Sequence, residues 1–170
     1  PLLMLREEKN HPVTAVEIQP DACELIQKGI ELSNLQGKLN VLNKDLKSLK
    51  EDIEAGAFDL ITVNPPYFPV GSGKQAAGAL AEARSEETCN LEDLTAAAAW
   101  LLPTGGTFTL VHRPERLADI IFHLKSHQLE PKRIQFARHK AQNPVNLVLI
   151  EAKKDGKTGL FYEKDLVFFK

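Results

Sequence analysis

The sequence predicts an α/β fold, a mostly parallel sheet flanked by helices. Three observations carry this expectation. Short apolar runs rich in β-branched residues, such as Val13–Ile18 and Phe58–Val63, recur along the chain. Between them lie stretches whose apolar residues repeat at helical spacing. The composition of the 170 residues, 43% hydrophobic and 26% charged, is that of an ordinary globular chain and excludes a fibrous repeat or a disordered tail.

Val13–Ile18 reads as a buried strand. Pro20 and Asp21 open a helix whose apolar face is Ala22, Leu25, Ile26 and Ile30. Leu39–Leu42 is a second strand and Phe58–Val63 a third. Leu91, Leu94, Ala98 and Leu101 mark another helix face, which the turn Pro103-Thr-Gly-Gly106 ends. Thr107–Val111 is a fourth strand. Leu117, Ile120, Ile121 and Leu124 stand at i, i+3, i+4 and i+7, a third helix face. Ile134–Phe136 and Leu147–Ala152 are two more strands with no helix pattern between them, so they are expected to pair antiparallel. Leu160–Phe169 adds an extended tail, and Pro1–Glu8 reads as the end of a helix. No repeat and no Ser/Gly-rich linker divides the chain, so 1–170 is expected to be one domain covered by helices on both faces of its sheet.

Charge is unevenly placed. The whole chain carries a formal −2, yet residues 131–170 hold nine basic and four acidic side chains, which points to one face built for a polyanion. Cys23 and Cys89 are distant and lack partners at metal spacing, so both are expected as reduced thiols. No apolar run approaches the ~20 residues of a membrane-spanning helix. Pro1–Arg6 lacks a basic lead-in and a small-residue cleavage site, so no secretory signal is read there and a cytoplasmic protein without membrane attachment is expected.

The sharpest chemical signal is Asn64-Pro65-Pro66-Tyr67, directly after a strand. In open α/β sheets ligands sit at the carboxyl ends of strands. A residue before proline is pushed to extended backbone, and each proline fixes φ and removes an N–H donor. The segment therefore cannot satisfy its own carbonyls by forming helix. The Asn64 side-chain oxygen and the Pro65 carbonyl become two fixed acceptors, with Tyr67 as an aromatic plate beside them. Two acceptors and a plate suit the holding of a planar amino group. Gripping its two hydrogens favours a pyramidal nitrogen, aims the lone pair at an electrophile and stabilises the positive charge that develops on attack. Positioning of this kind can supply roughly 7–11 kcal/mol without a strong base, and the plate stacks a base taken out of its own stack.

This tetrapeptide resembles the catalytic motif of class I amino-group methyltransferases that use S-adenosylmethionine. The resemblance implies a Rossmann-like sheet, mostly parallel with an antiparallel C-terminal strand. It also implies that Glu17, with Ile18, accepts from the cofactor's ribose hydroxyls, that Asp45 and Leu46 meet its adenine, and that Asn64 borders the cofactor. Val16-Glu-Ile-Gln19, Asn64-Pro-Pro-Tyr-Phe68, Ala83-Arg84, Val111-His-Arg-Pro114 and Glu130-Pro-Lys-Arg133, in that order, resemble the bacterial tRNA methyltransferases that modify an anticodon-loop adenine of a valine tRNA on its exocyclic nitrogen. The match departs in one place. That family has a Gly-rich loop after its first strand, and nothing in 1–170 matches it, so the first strand and this loop are expected to be lacking and cofactor affinity to be poor.

Tyr67 and Pro66 complete the expected catalytic set with Asn64 and Pro65. Lys74, Arg84, Arg113, Lys132, Arg133, Arg138 and Lys140 are the candidates for contact with tRNA, whose phosphates would be gripped with a steep salt dependence. Arg113 could instead pair with a helix carboxylate, and Arg84 is similar. Gly71-Ser-Gly-Lys74 is not a phosphate loop, because Phe68 and Gln75 stand where Gly and Ser or Thr belong. His123 and His127 are four apart but without the pattern of a metal site, and no metal is expected. Two other readings remain open at this point: methylation of a protein glutamine amide, whose NH₂ poses the same problem, and a noncatalytic RNA-binding module that keeps the fold.

Overall fold

The computed structural model describes Leu5, residues 11–65 and residues 90–169. Pro66, Tyr67, the 71–75 loop, Lys74, Arg84, Cys89 and the Pro1–Glu8 helix reading apart from Leu5 lie outside the described residues. The chain divides into two compact units, Pro1–Leu49 and Lys50–Lys170.

In the first unit, strands β1 (Val13–Glu17) and β2 (Leu39–Asn43) pair in parallel, from Val13 opposite Leu39 to Glu17 opposite Asn43. Helix α1 (Pro20–Leu32) connects them. Pro20 suits the first helical position, where its missing N–H costs nothing, and Asp21 complements the dipole of the first turn. The small core joins Leu5, Ile30 and Leu39 to Val13, Ala15, Ile26 and Val41. Leu25 was expected on the buried face but is 69% exposed. At 100° per residue it falls off the narrow stripe Cys23–Ile26–Ile30, and the buried free thiol of Cys23 takes the inward position.

The second unit holds a five-stranded sheet in the order β3-β4-β6-β5-β7. Its strands are β3 (Leu60–Val63), β4 (Thr107–His112), β5 (Leu129–Arg138), β6 (Leu147–Lys154) and β7 (Phe161–Val167). β3 runs parallel to β4, and β5 parallel to β7, while β6 runs against both of its neighbours. The mostly parallel sheet with one antiparallel strand near the C-terminus is thus as expected, with a further strand after it. Helices α2 (Leu91–Leu101) and α3 (Leu117–Ser126) supply the cover. Asn90 caps α2, its side-chain oxygen accepting from the Asp93 amide at 2.8 Å.

Burial alternates along β4: Phe108, Leu110 and His112 are buried, and Thr107, Thr109 and Val111 only half-buried. The buried set packs with Leu91, Leu94 and Ala98 of α2, Ile120 and Leu124 of α3, and Val148, Ile150 and Ala152 of β6. Each fully buried Leu, Ile or Phe contributes roughly 1.5–3 kcal/mol. Within this unit α2 and α3 pack against the face of the sheet that carries Phe108 and Leu110.

Element bounds differ from expectation where local chemistry competes with pattern. Phe58 lies outside β3 because its amide donates to Leu101 O at 3.0 Å, tying it to the end of α2. β5 is ten residues long instead of three, bulging between Pro131 and Arg133 where the proline cannot donate. The tail is a paired strand, β7. At the turn before β4, Gly106 N donates to Pro103 O at 2.8 Å and Gly105 has φ +84°, and a Cβ on Gly106 would meet Pro103 O at 2.9 Å. Glycine at both places is what lets the chain turn there.

Candidate functional site

In the first unit, the parallel pairing brings the ends of β1 and β2 together, with Glu17 opposite Asn43. Asn43 ties this end. Its side-chain amide donates to Glu17 O at 2.9 Å and to Ile18 O at 3.0 Å. The Lys44 amide also donates to Glu17 O, at 3.1 Å, and the Cys23 thiol lies 3.4 Å from the same oxygen. Glu17 Oε1 accepts from the Gln19 amide at 2.9 Å. The carboxylate thus braces the turn into α1 with one oxygen, while Oε2 takes no bond among the described residues. Ile18 is 46% exposed beside it.

Two residues past Asn43, Asp45 caps the short turn Leu46–Ser48. Its Oδ1 accepts from the Lys47 amide at 2.9 Å, and its Oδ2 is 3.8 Å from Lys47 Nζ. Leu46 is half-buried. Both acidic side chains hold local backbone, and each keeps acceptor capacity, since a carboxylate offers about four lone-pair sites. That pair of acceptors fits the hydroxyls and amine of a nucleoside, which donate. Asn43 carries no sequence motif. The only signal that could have found it is its place at the end of a strand, two residues before an acidic side chain. A separate open hollow of about 390 Å³, lined by Gln27, Ile30, Gln36, Gly37 and Leu39 among others, contains none of the expected site residues.

In the second unit, Asn64 and Pro65 leave the carboxyl end of β3, Asn64 exposed and Pro65 half-buried. The register Val63 opposite Leu110 places them where β4 delivers His112 and Arg113. Among the described residues Arg113 meets no helix carboxylate: its guanidinium donates to Asn146 O at 3.3 Å, and its amide donates to His112 Nδ1 at 2.8 Å.

The basic candidates near the C-terminus do not form one patch. Lys132 and Arg138 are six residues apart on one extended strand, a separation of about 20 Å. Lys132 Nζ donates to Lys157 O at 2.8 Å, far from the Asn64 end. Arg133 pairs with Glu151 at 2.6 Å and Glu163 at 3.5 Å, which pushes its pKa up. Arg138 pairs with Asp165 and donates to Asn143 O at 3.2 Å. No acidic residue interrupts this run in sequence, but strands β6 and β7 bring carboxylates to it in space. Lys140 is exposed at the Asn64 end.

His123 and His127 serve structure. Both bond to the two oxygens of Glu92, at 2.7 and 2.9 Å, joining α3 to α2. The hydrogen bonds from His123 and then His127 hold the Glu92 carboxyl below its usual range. Among the described residues no group of three or more His, Cys, Asp or Glu could hold a metal ion, and no helix is long and apolar enough to cross a membrane.

No protein-family model matches the chain. It is similar to the tRNA1(Val) (adenine(37)-N6)-methyltransferase of Parabacteroides distasonis, 30% identical over 149 residues that make up 88% of this chain and 62% of that protein. The enzyme of the same name from Shewanella sediminis is 29% identical over 131 residues, 75% of this chain and 53% of that one. The chain thus spans about half to two thirds of the length of the curated relatives it matches. Among solved structures, a predicted O-methyltransferase from Agrobacterium tumefaciens superposes with a TM-score of 0.71 at 20% identity, covering 91% of this chain and 68% of that one. A SAM-dependent methyltransferase from Methanosarcina mazei does so with a TM-score of 0.61 at 12% identity, over 89% and 86%. These likenesses show the fold, which is that of the S-adenosylmethionine-dependent methyltransferases.

Proposed function

We propose that this chain, which has the fold of the S-adenosylmethionine-dependent methyltransferases, transfers a methyl group to the exocyclic amine of an adenine in tRNA. The observation that carries this reading is the Asn64-Pro65 pair at the carboxyl end of β3, beside the end of β4. The names of its relatives, at 29–30% identity, support the adenine and the tRNA. A tRNA substrate supports the expected cytoplasmic location.

Glu17 and Asp45 would hold the cofactor, Glu17 through the ribose hydroxyls with Ile18 beside it, and Asp45 with Leu46 at the adenine. S-adenosylmethionine, when bound, would supply an electrophilic methyl group on a sulfonium, whose S–CH₃ bond breaks as nitrogen attacks so that the sulfur leaves as a neutral thioether. The side-chain oxygen of Asn64 and the carbonyl of Pro65 accept the two amine hydrogens and localise the nitrogen lone pair. Tyr67 is assigned the stacking of the adenine, and Pro66 belongs to the same catalytic tetrapeptide. As the nitrogen becomes positive, the two acceptors stabilise it, and the amine then gives up one proton to solvent. Arg113, Lys74 and Arg84 are assigned to the RNA on charge.

The function is tested by transfer of labelled methyl to tRNA, to a glutamine-containing peptide, or to neither. Label on tRNA adenine is expected; label on the peptide would replace the reading with glutamine methylation, and binding of tRNA without transfer would replace it with a noncatalytic module.

A further inference from the structure

Strand register decides which side chains share the Asn64 end of the five-stranded sheet. His112 pairs with Val148, Ala137 with Leu147, and Arg138 with Val167. The β5–β6 loop, residues 139–146, and the tail after β7 therefore emerge at the end that carries Asn64 and Arg113. With strands about 4.8 Å apart, β5 stands roughly 14 Å across the sheet from β3.

This rim is braced. Arg138 reaches both Asp165 of β7 and Asn143 O in the loop. Asn143 N donates to Lys140 O at 3.0 Å, and Asn146 N to Ala137 O at 2.9 Å. The tail continues alongside, Phe168 N donating to Arg138 O at 3.2 Å and Phe169 N to His139 O at 2.9 Å. On that frame the His139 and Phe169 rings lie 4.4 Å apart, tilted by 44°. Phe168 and Phe169 are 59% and 56% exposed, and His139 and Lys140 are exposed with them.

Rings held open to water by backbone bonds contribute little to the core, so their exposure calls for an occupant. Residues 139–146 and 166–169 contain no acidic side chain. Asp165 is bonded to Arg138 and Tyr162, and exposed Glu115 lies two residues past Arg113. Exposed aromatic faces next to a cation, Lys140, match the chemistry of unpaired nucleotides, whose bases stack on the rings while a phosphate meets the ammonium. We propose that His139, Lys140, Phe168 and Phe169 form a stacking platform for unpaired RNA nucleotides that flank the methyl acceptor. The proposal rests on the RNA reading above and adds where the flanking strand lies. At this distance from Asn64 the platform sets RNA affinity and not the chemical step.

The test is fluorescence anisotropy of the full chain with a short labelled oligo(A), with thermal melts to confirm folding. Phe169→Leu and His139→Ala each weaken binding roughly 10-fold, the scale of one base stacked on a ring. Phe169→Trp restores it. Lys157→Ala, at the opposite end of the sheet, leaves it within about twofold. Wild-type binding by Phe169→Leu and His139→Ala overturns the proposal, as does failure of the folded wild-type chain to bind oligo(A). So does a dimer that Phe169→Leu dissolves without changing RNA binding, which would make the rim a contact between copies. Methyl transfer keeps the two readings apart. Transfer to RNA with an unchanged KM in Phe169→Leu removes the platform and leaves the reaction. Transfer to a peptide, with oligo(A) binding still dependent on Phe169, removes the reaction and leaves the platform.

Discussion

Asn43→Ala probes how the end of β1 is held for a cofactor. The side chain bridges Glu17 O at 2.9 Å and Ile18 O at 3.0 Å. Removing it does not orphan both carbonyls equally. Glu17 O keeps the Lys44 amide at 3.1 Å, whereas Ile18 O loses its bond from Asn43 and must turn to water. Asn43 is exposed, so water reaches the site and the loss stays near the ordinary value of one net hydrogen bond, about 1 kcal/mol. Expressed at the cofactor, 1 kcal/mol is roughly a fivefold rise in Kd, since 1.4 kcal/mol is tenfold. The assay is equilibrium dialysis with labelled S-adenosylmethionine, run as a ratio of variant to wild type. Asn43→Asp separates shape from donation: it keeps the volume but cannot donate, and should weaken binding at least as much. An unchanged Kd in both variants, with the fold retained, would refute the idea that this bridge positions Glu17 and Ile18 for the ribose.

Two further perturbations test the frame. Leu110→Ala, at a site only 1% exposed within the main core, should lower unfolding free energy by about 2–5 kcal/mol in urea titrations; a loss well under 1 kcal/mol would mean the core is not packed as described. Because the folded-state pKa of Glu92 is depressed, its contribution to stability is present above the ordinary carboxyl range and is lost as pH falls through the folded value. The difference in Tm between wild type and Glu92→Gln should therefore be largest above about pH 5 and shrink toward pH 3; a difference independent of pH would exclude the double imidazole contact.

Pattern made much of this fold legible. The run Thr107–Val111 marked β4, which extends one residue further to His112, and the i, i+3, i+4, i+7 repeat marked α3, because it registers burial on one side. β5 hid most of its length. Pro131 and the charged Lys132 and Arg133 look like a loop, yet a bulge absorbs the proline and Glu151 and Glu163 neutralise the arginine. Leu25 was misplaced because a two-stranded sheet buries a narrower helix stripe than hydrophobicity alone implies. The strand-end positions of Glu17, Asp45 and Asn64 were legible, since proline and acidic residues mark strand ends by backbone chemistry. Asn43, the carboxylates that occupy Arg133 and Arg138, and the ring pair of His139 and Phe169 were not, because all depend on strands distant in sequence coming into register.

The decisive measurement is nucleoside mass spectrometry of tRNA after incubation with saturating S-adenosylmethionine and either wild-type chain or Asn64→Ala. Methyl on the exocyclic nitrogen of adenine with wild type, and its loss in an Asn64→Ala variant that melts like wild type, is the expected result. Near-normal methylation by Asn64→Ala would contradict the grip on the amine by Asn64 and Pro65.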